Sequence, residues 1–296
     1  MKRILLFVLT NIAVLVVLSI VFNLLAASGI LGPYGNPGNL VGLLIFAALF
    51  GMGGAFISLA LSKWMAVHAT GARIIETPAD SQEIWLKSTV ERLARQAGIG
   101  SPDVAIFEAA DVNAFATGMR RDKALVAVSR GLLQNMYREE AEAVLGHEIT
   151  HIANGDMVTM TLLQGVLNTF VIALSRIVGS LVGQAVAGDS RQGQGMNYLA
   201  YFATSIVAQI LFGILASLIV FAFSRHREFR ADAGGARLAG RGKMIAALQR
   251  LDAIHRPSAL PQQLKAFGIA DGGGIARLFM THPPLADRIA ALQRGD

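Results

Sequence analysis

Four stretches of the chain are apolar at nearly every position, and the segments between them return to the mixed patterning of water-soluble structure. Ile4 to Ile30 contains no charged residue and follows Lys2 and Arg3, so it is long enough to cross the hydrocarbon as one helix. A cleaved signal peptide has a shorter apolar core, and the segment reads as a retained anchor. The uncharged turn sequence Gly32 to Gly38 leads into a second crossing, Leu40 to Leu61, which ends at Lys63. A third stretch runs from Met157 to about Val182 and a fourth from about Tyr198 to Phe223, separated by the polar segment Asp189 to Gly195. Gln164, Asn168 and Arg176 interrupt the third. It is therefore a full span with Arg176 snorkelling to the far interface, a shorter segment, or a helix packed on the fourth without full lipid exposure.

The four stretches form two hairpins; the tip of the first carries no positive charge while its ends hold Lys2, Arg3 and Lys63, and Arg225, Arg227 and Arg230 follow the second at once. By the positive-inside rule the ends face the cytoplasm, which gives a multi-pass membrane protein with both termini inside. The expected organisation is a transmembrane hairpin over 1–62, a first soluble piece over 63–156, a second hairpin over 157–223 and a second soluble piece over 224–296. The two soluble pieces together make one domain of ordinary size. In the first piece, Leu86, Val90, Leu93 and Ala97 share one helical face that stops at Gly98. Strand-like runs follow at Val104 to Phe107, Ala114 to Thr117 and Leu125 to Ser129, then a helix from about Arg138 to Ala153 that ends at Asn154-Gly155. In the second piece, helices are predicted over about Glu228 to Leu238, Lys243 to His255 and Leu285 to Gln293, with a loop at Gly272 to Gly274.

Composition agrees with a membrane protein: 53% of the 296 residues are hydrophobic and only 16% charged. The net charge of +6 is spread around the apolar segments without an aromatic-plus-basic binding motif, so anionic lipid head groups explain it and nucleic acid does not. Cysteine is absent, which rules out disulfides and thiolate metal sites; a transition-metal site must be built from imidazole and carboxylate.

Within the helix over 138–153 stands His147-Glu148-Ile149-Thr150-His151. Residues four apart share a helical face, so both imidazoles can point at one tetrahedral ion while Glu148 takes a proton from the attacking water. Glu139, Glu140 and Glu142 make a solvated upstream face, and Ala141, Val144 and Leu145 a buried one. Catalytic zinc takes three protein ligands and leaves a position open. Glu228 is the one glutamate after Glu148, and it lies just beyond the fourth apolar stretch as His151 lies just before the third. An antiparallel hairpin starting six residues after His151 and ending five before Glu228 returns the chain to its point of departure. The competing role for Glu228 is a negative charge in the first turn of a helix. Asp232, one turn further on, either hydrogen-bonds the free nitrogen of a liganding histidine or pairs with surface arginines. His282 is either a stabiliser of the oxyanion or an ordinary turn residue before the last helix. His226 reads as a membrane-surface cation, His68 as interfacial and His255 as a helix-terminal charge.

His147 to His151 with Asn154-Gly155-Asp156, together with Ser224 to Asp232, resemble the HtpX family of bacterial membrane metalloproteases, in the wider group of Ste24-type enzymes. Asn113 to Gly118 and Met280 to Pro284 resemble further signatures of that family, and the likeness extends over essentially the whole chain. The resemblance implies an α-helical integral membrane protein with an α+β, zincin-like cytoplasmic catalytic domain of gluzincin type, one Zn2+ per chain, and Glu148 as the catalytic residue. It further implies degradation of misfolded or damaged membrane proteins during envelope stress, self-cleavage, and functional overlap with the ATP-dependent protease FtsH. Asn113, Ala114, Phe115 and Ala116 have edge-strand character and would bind an extended substrate by strand addition; alternatively they form an interior strand that packs Phe115.

Two other functions use the same residues. A site-2-type intramembrane protease places its motif inside a span, against which the charged residues upstream of His147 argue. A membrane chaperone or adaptor retaining a structural metal needs four protein ligands, and no fourth accompanies these three. The sequence is silent on oligomeric state.

Overall fold

The computed structural model describes residues 20, 37–187, 194–255, 280 and 282–295. The first predicted crossing, Ile4 to Ile30, lies outside the described residues apart from Ile20, as do most of the polar segment 189–195 and the loop around Gly272 to Gly274. The chain divides into two compact units, one of residues 1–57 and 160–220 and one of residues 58–159 and 221–296.

Helices dominate the first unit. Helix α1 covers Pro37–Thr70, α5 Asp156–Ala187 and α6 Gln194–Ala239, and each contains a segment long and apolar enough to cross a membrane. Within this unit the helices meet at small residues, as they must where lipid supplies no hydrophobic drive between them. A Cβ on Gly51 would fall 2.5–2.8 Å from Thr169, and one on Gly179 would fall 1.9 Å from the Ser205 hydroxyl. Leu44, Ala47, Ala173 and Ile177 fill the contact. Arg176 does not break α5: its guanidinium donates to the Tyr201 hydroxyl at 3.3 Å and lies over the rings of Phe46 and Tyr201. It stands twenty residues after Asp156, roughly 30 Å along the axis, which is the depth of the hydrocarbon.

The second unit holds a four-stranded sheet in the order β1-β2-β4-β3, with β1 at Arg73–Ile74, β2 at Asp103–Phe107, β3 at Ala114–Thr117 and β4 at Leu125–Ser129. β2 and β4 run parallel; β1 and β3 are antiparallel edges. Alternation along β2 sends Val104 and Ile106 to one face and Ala105 and Phe107 to the other. The first face is covered by α2 (Ser81–Gln96) through Leu86, Val90 and Leu93, and by α4 (Arg138–Asn154) through Leu145, Ile149 and Ile152. A second core joins α3 (Arg130–Asn135), α4, α7 (Arg241–His255) and α8 (Leu285–Arg294) through Leu132, Ala143, Met244, Leu248 and Leu292.

Three expectations need correction. The helix predicted from Glu228 is not a separate element: α6 runs unbroken from the fourth apolar stretch to Ala239, because no glycine or proline stands between Ile214 and Ala233. Glu228 is therefore mid-helix, where a first-turn dipole effect does not reach it. Glu142 is not solvated; half-buried, it bridges Arg92 of α2 and Lys243 of α7, the latter at 2.6 Å. The second apolar helix extends nine residues past Leu61, to Thr70.

Candidate metal centre

Helix α4 opens with the Glu140 carboxylate accepting from the Tyr137 backbone at 2.9 Å and closes at Gly155, whose φ of 66° is a left-handed conformation that glycine adopts without steric cost. That sharp stop lets the chain restart as α5 at Asp156, placing the Asp156 carboxylate back against the last turn of α4. Close packing of α4 on α6 fixes the other wall. Gly146 faces Gly235, and a Cβ on Gly234 would meet Thr150 at 2.2 Å.

These contacts bring together His147 and His151 of α4 and Glu228 of α6 as a buried group, with donor atoms within 4.8 Å of one another. The two Nε2 atoms are 3.1 Å apart, and Glu228 Oε2 and Oε1 stand 3.4 Å from the Nε2 atoms of His147 and His151 respectively. Donors bound at about 2.0–2.1 Å to a tetrahedral ion stand roughly 3.3–3.4 Å from each other, a spacing close to that of the two imidazoles and to that of each imidazole from its own oxygen of Glu228, so the group can close on one such ion. Glu228 is 1% exposed, and its Oε2 lacks a well-aligned hydrogen bond even though His282 Nδ1 comes within 2.9 Å. A buried carboxylate oxygen left in that condition is costly unless a cation compensates it.

The outer nitrogen of each imidazole is engaged. His147 Nδ1 lies 2.9 Å from Asp232 Oδ1, and His151 Nδ1 lies 2.7 Å from Asp156 Oδ2. Each carboxylate accepting from Nδ1–H fixes the tautomer that leaves the Nε2 lone pair free for a metal. Asp232 is held in turn by Arg288 of α8, whose Nη2 and Nε donate at 2.6 and 2.7 Å, while Arg288 Nη1 stands 3.5 Å from Glu228 Oε2. Burial alone would lower the pKa of both histidines, but hydrogen bonds from Asp232 and Glu228 raise that of His147, and those from Asp156 and Glu228 raise that of His151 to about 9. Burial pushes the Glu148 carboxyl up against the opposing pull of the two imidazoles.

Asp232 lies against His147 Nδ1, and its arginine partner is the buried Arg288, 56 positions away, rather than a nearby surface arginine. His282 is 63% exposed and beside Glu228. Asn113 immediately precedes β3, which among the described residues pairs with β4 alone and is an edge strand, its Ala116 amide turned to the Glu148 carboxylate; Phe115 packs on Phe107. His226 is exposed, His68 stacks on Trp64, and His255 closes α7. Two members of the site escaped sequence reasoning. Asp156 stands out in the sequence only as part of the family motif. Arg288 carried a usable signal, since it interrupts the stripe Leu285, Ile289 and Leu292, and a charge on the apolar face of an amphipathic helix needs a buried partner.

A donor set of this kind, with a carboxylate one residue along from the first imidazole, defines a metallopeptidase. The sequence pattern of peptidase family M48 matches residues 80–295. The Protease HtpX homolog of Nitrosomonas europaea is 58% identical over 294 residues, covering 99% of each chain, and Protease HtpX of Alkalilimnicola ehrlichii is 60% identical over 300 residues, covering 100% of this chain and 98% of the relative. Protease HtpX of Thioalkalivibrio sulfidiphilus is 59% identical over 295 residues, 99% of each. Among solved structures, S. mikatae Ste24p aligns with 97% of this chain and 67% of its own at a TM-score of 0.60 and 17% identity, a likeness of fold. The chain belongs to peptidase family M48 and stands with the HtpX proteases in it.

Proposed function

We propose that this metalloprotease is a zinc endopeptidase of the bacterial cytoplasmic membrane that cleaves misfolded or damaged membrane proteins at the cytoplasmic face. The observation that carries the reading is the buried convergence of His147, His151 and Glu228, with the two Nε2 atoms 3.1 Å apart and each 3.4 Å from a different oxygen of Glu228. When bound, the ion supplies Lewis acidity, polarising the scissile carbonyl and drawing the pKa of a water towards neutrality. Glu148 takes the proton of the attacking water and delivers it to the departing amine, a task to which a carboxyl pKa raised by burial is suited. Asp232 and Asp156 hold the imidazoles in register. His282 donates to the developing oxyanion, a role supported by its exposure and its position beside Glu228. The edge of β3, from Ala114 to Ala116, receives an extended substrate through its backbone, giving affinity without strict sequence choice.

Support for the cytoplasmic face comes from Lys63, Arg225, Arg227 and Arg230 at the ends of the apolar stretches. The HtpX resemblance supports a quality-control role in envelope stress, overlapping with FtsH. The test is cleavage of an unfolded membrane protein by zinc-loaded protein and by Glu148→Gln. Metal is retained and cleavage lost in the variant if the reading holds; equal cleavage by both removes Glu148 from the mechanism.

A further inference from the structure

Beside the metal centre, and separate from it, the second unit contains a cavity of about 370 Å³ walled by Arg230, Arg237, Arg241, Asn154, Ala236 and Leu292. Arg230 and Arg237 are two helical turns apart on one face of α6, and Arg241 opens α7 after Gly240 turns the chain at a φ of 109°. All three arginines are exposed, and none is in an ion pair among the described residues. Helix dipoles account for Arg237, which lies in the last turn of α6, but not for Arg230 further upstream. They work against Arg241, whose charge sits at the positive end of α7 with no acidic residue in the first turn to offset it. Three forked cations line one concavity, one of them at a helix start, and leave a positive field, uncompensated among the described residues, that a bound anion would satisfy.

We propose that this cavity binds a phosphate-bearing anion, gripped by Arg230, Arg237 and Arg241 over the apolar floor of Ala236 and Leu292. Guanidinium forks match phosphate oxygens two at a time, and the volume suits a phosphorylated small molecule or head group better than a single inorganic ion. The ligand would also tie together elements that carry the metal centre. Asn154 is three residues after His151, and Leu292 is one turn after Arg288. Occupancy therefore clamps α8 against α6 and α4, and stabilises the Arg288–Asp232–His147 chain from outside.

The phosphate can come from solution or from an anionic lipid, and the experiment separates these sources. Full-length, zinc-loaded protein in neutral phosphatidylcholine nanodiscs is titrated with glycerol 3-phosphate by calorimetry, and its unfolding temperature is recorded. In parallel, that temperature is compared between neutral and phosphatidylglycerol nanodiscs. Parent protein, Arg237→Ala/Arg241→Ala and Arg237→Lys/Arg241→Lys are tested at fixed ionic strength. A soluble ligand is supported by glycerol 3-phosphate binding that the alanine pair weakens about tenfold or more, the loss of one charge-assisted hydrogen bond, with the lysine pair intermediate. A lipid source is supported by protection in phosphatidylglycerol alone that the alanine pair abolishes. Absence of both effects, or effects of equal size in all three proteins, overturns the proposal. The lysine pair keeps the charge and guards against a variant that merely folds poorly.

Discussion

Asp232→Asn separates the two jobs of that carboxylate. Asp232 Oδ1 faces His147 Nδ1 at 2.9 Å and Arg288 Nη2 at 2.6 Å, and Oδ2 accepts from Arg288 Nε at 2.7 Å. An asparagine has one acceptor oxygen. In either rotamer its amide N–H groups confront a donor, the Nδ1–H of His147 or the fork of Arg288, and that donor is left buried without a partner. Loss of the outer hydrogen bond to a liganding histidine costs about 10–100-fold in metal affinity. Breaking a buried ion pair on one side costs about 3–5 kcal/mol, offset here only partly by Glu228, 3.5 Å from Arg288 Nη1. Asp156→Asn is the control, since Asp156 holds His151 at 2.7 Å and has no arginine partner among the described residues. We expect both variants to lose metal affinity, measured by competition with a chromophoric chelator, and Asp232→Asn alone to lower sharply the thermal unfolding temperature of the metal-free full-length protein. Parent-like stability and affinity in Asp232→Asn would refute the reasoning.

Four further outcomes are expected. Glu148→Gln keeps the metal by elemental analysis and loses about 10²–10⁴-fold in cleavage rate, the usual contribution of a general acid–base. Gly234→Ala drives a methyl to within 2.2 Å of Thr150 and should destabilise the protein by about 1–3 kcal/mol, seen as a lower unfolding temperature accompanied by weaker metal retention. The metal-free His151, with its pKa near 9, carries a proton at neutral pH that a metal must expel. Apparent affinity should therefore rise about tenfold from pH 7 to pH 8 and fall as the pH drops, a trend that a flat chelator-competition profile would contradict. The register of β3, with Ser129 donating to the Asn113 carbonyl at 2.9 Å, turns the backbone groups of Ala114 away from β4. Ala114→Pro should raise KM for an unfolded substrate with kcat little changed, whereas unchanged KM would remove β3 from substrate binding.

Much of the fold was legible because its signals are local. The three apolar runs within the described residues coincide with helices long and apolar enough to cross a membrane, period-two runs marked β2, β3 and β4 to within a residue, and Asn154-Gly155 marked the end of α4. The two-residue strand β1 had too few positions to show a period. The donor set could be read from His147, His151 and the scarcity of later glutamates, because residue type and spacing constrain ligands directly. Arg288 could not be assigned a partner in advance: its contact with Asp232 spans 56 positions and depends on how α8 docks, which no local pattern encodes. The helix start at Glu228 fails for the opposite reason, since a change in polarity says where solvent begins and not where a helix ends.

The unbroken course of α6 has an implication for attempts to obtain a soluble hydrolase from this chain. Excising residues 160–220 and rejoining Thr159 to Phe221 would leave Glu228 only seven positions from a fresh, fraying terminus, where backbone amides lack partners. Trimming would thus loosen the residue that completes the donor set even though no ligand had been deleted. A water-soluble version requires a rigid helical graft in place of the lost rod, because a flexible splice would make coordination bear the entropy of ordering that turn.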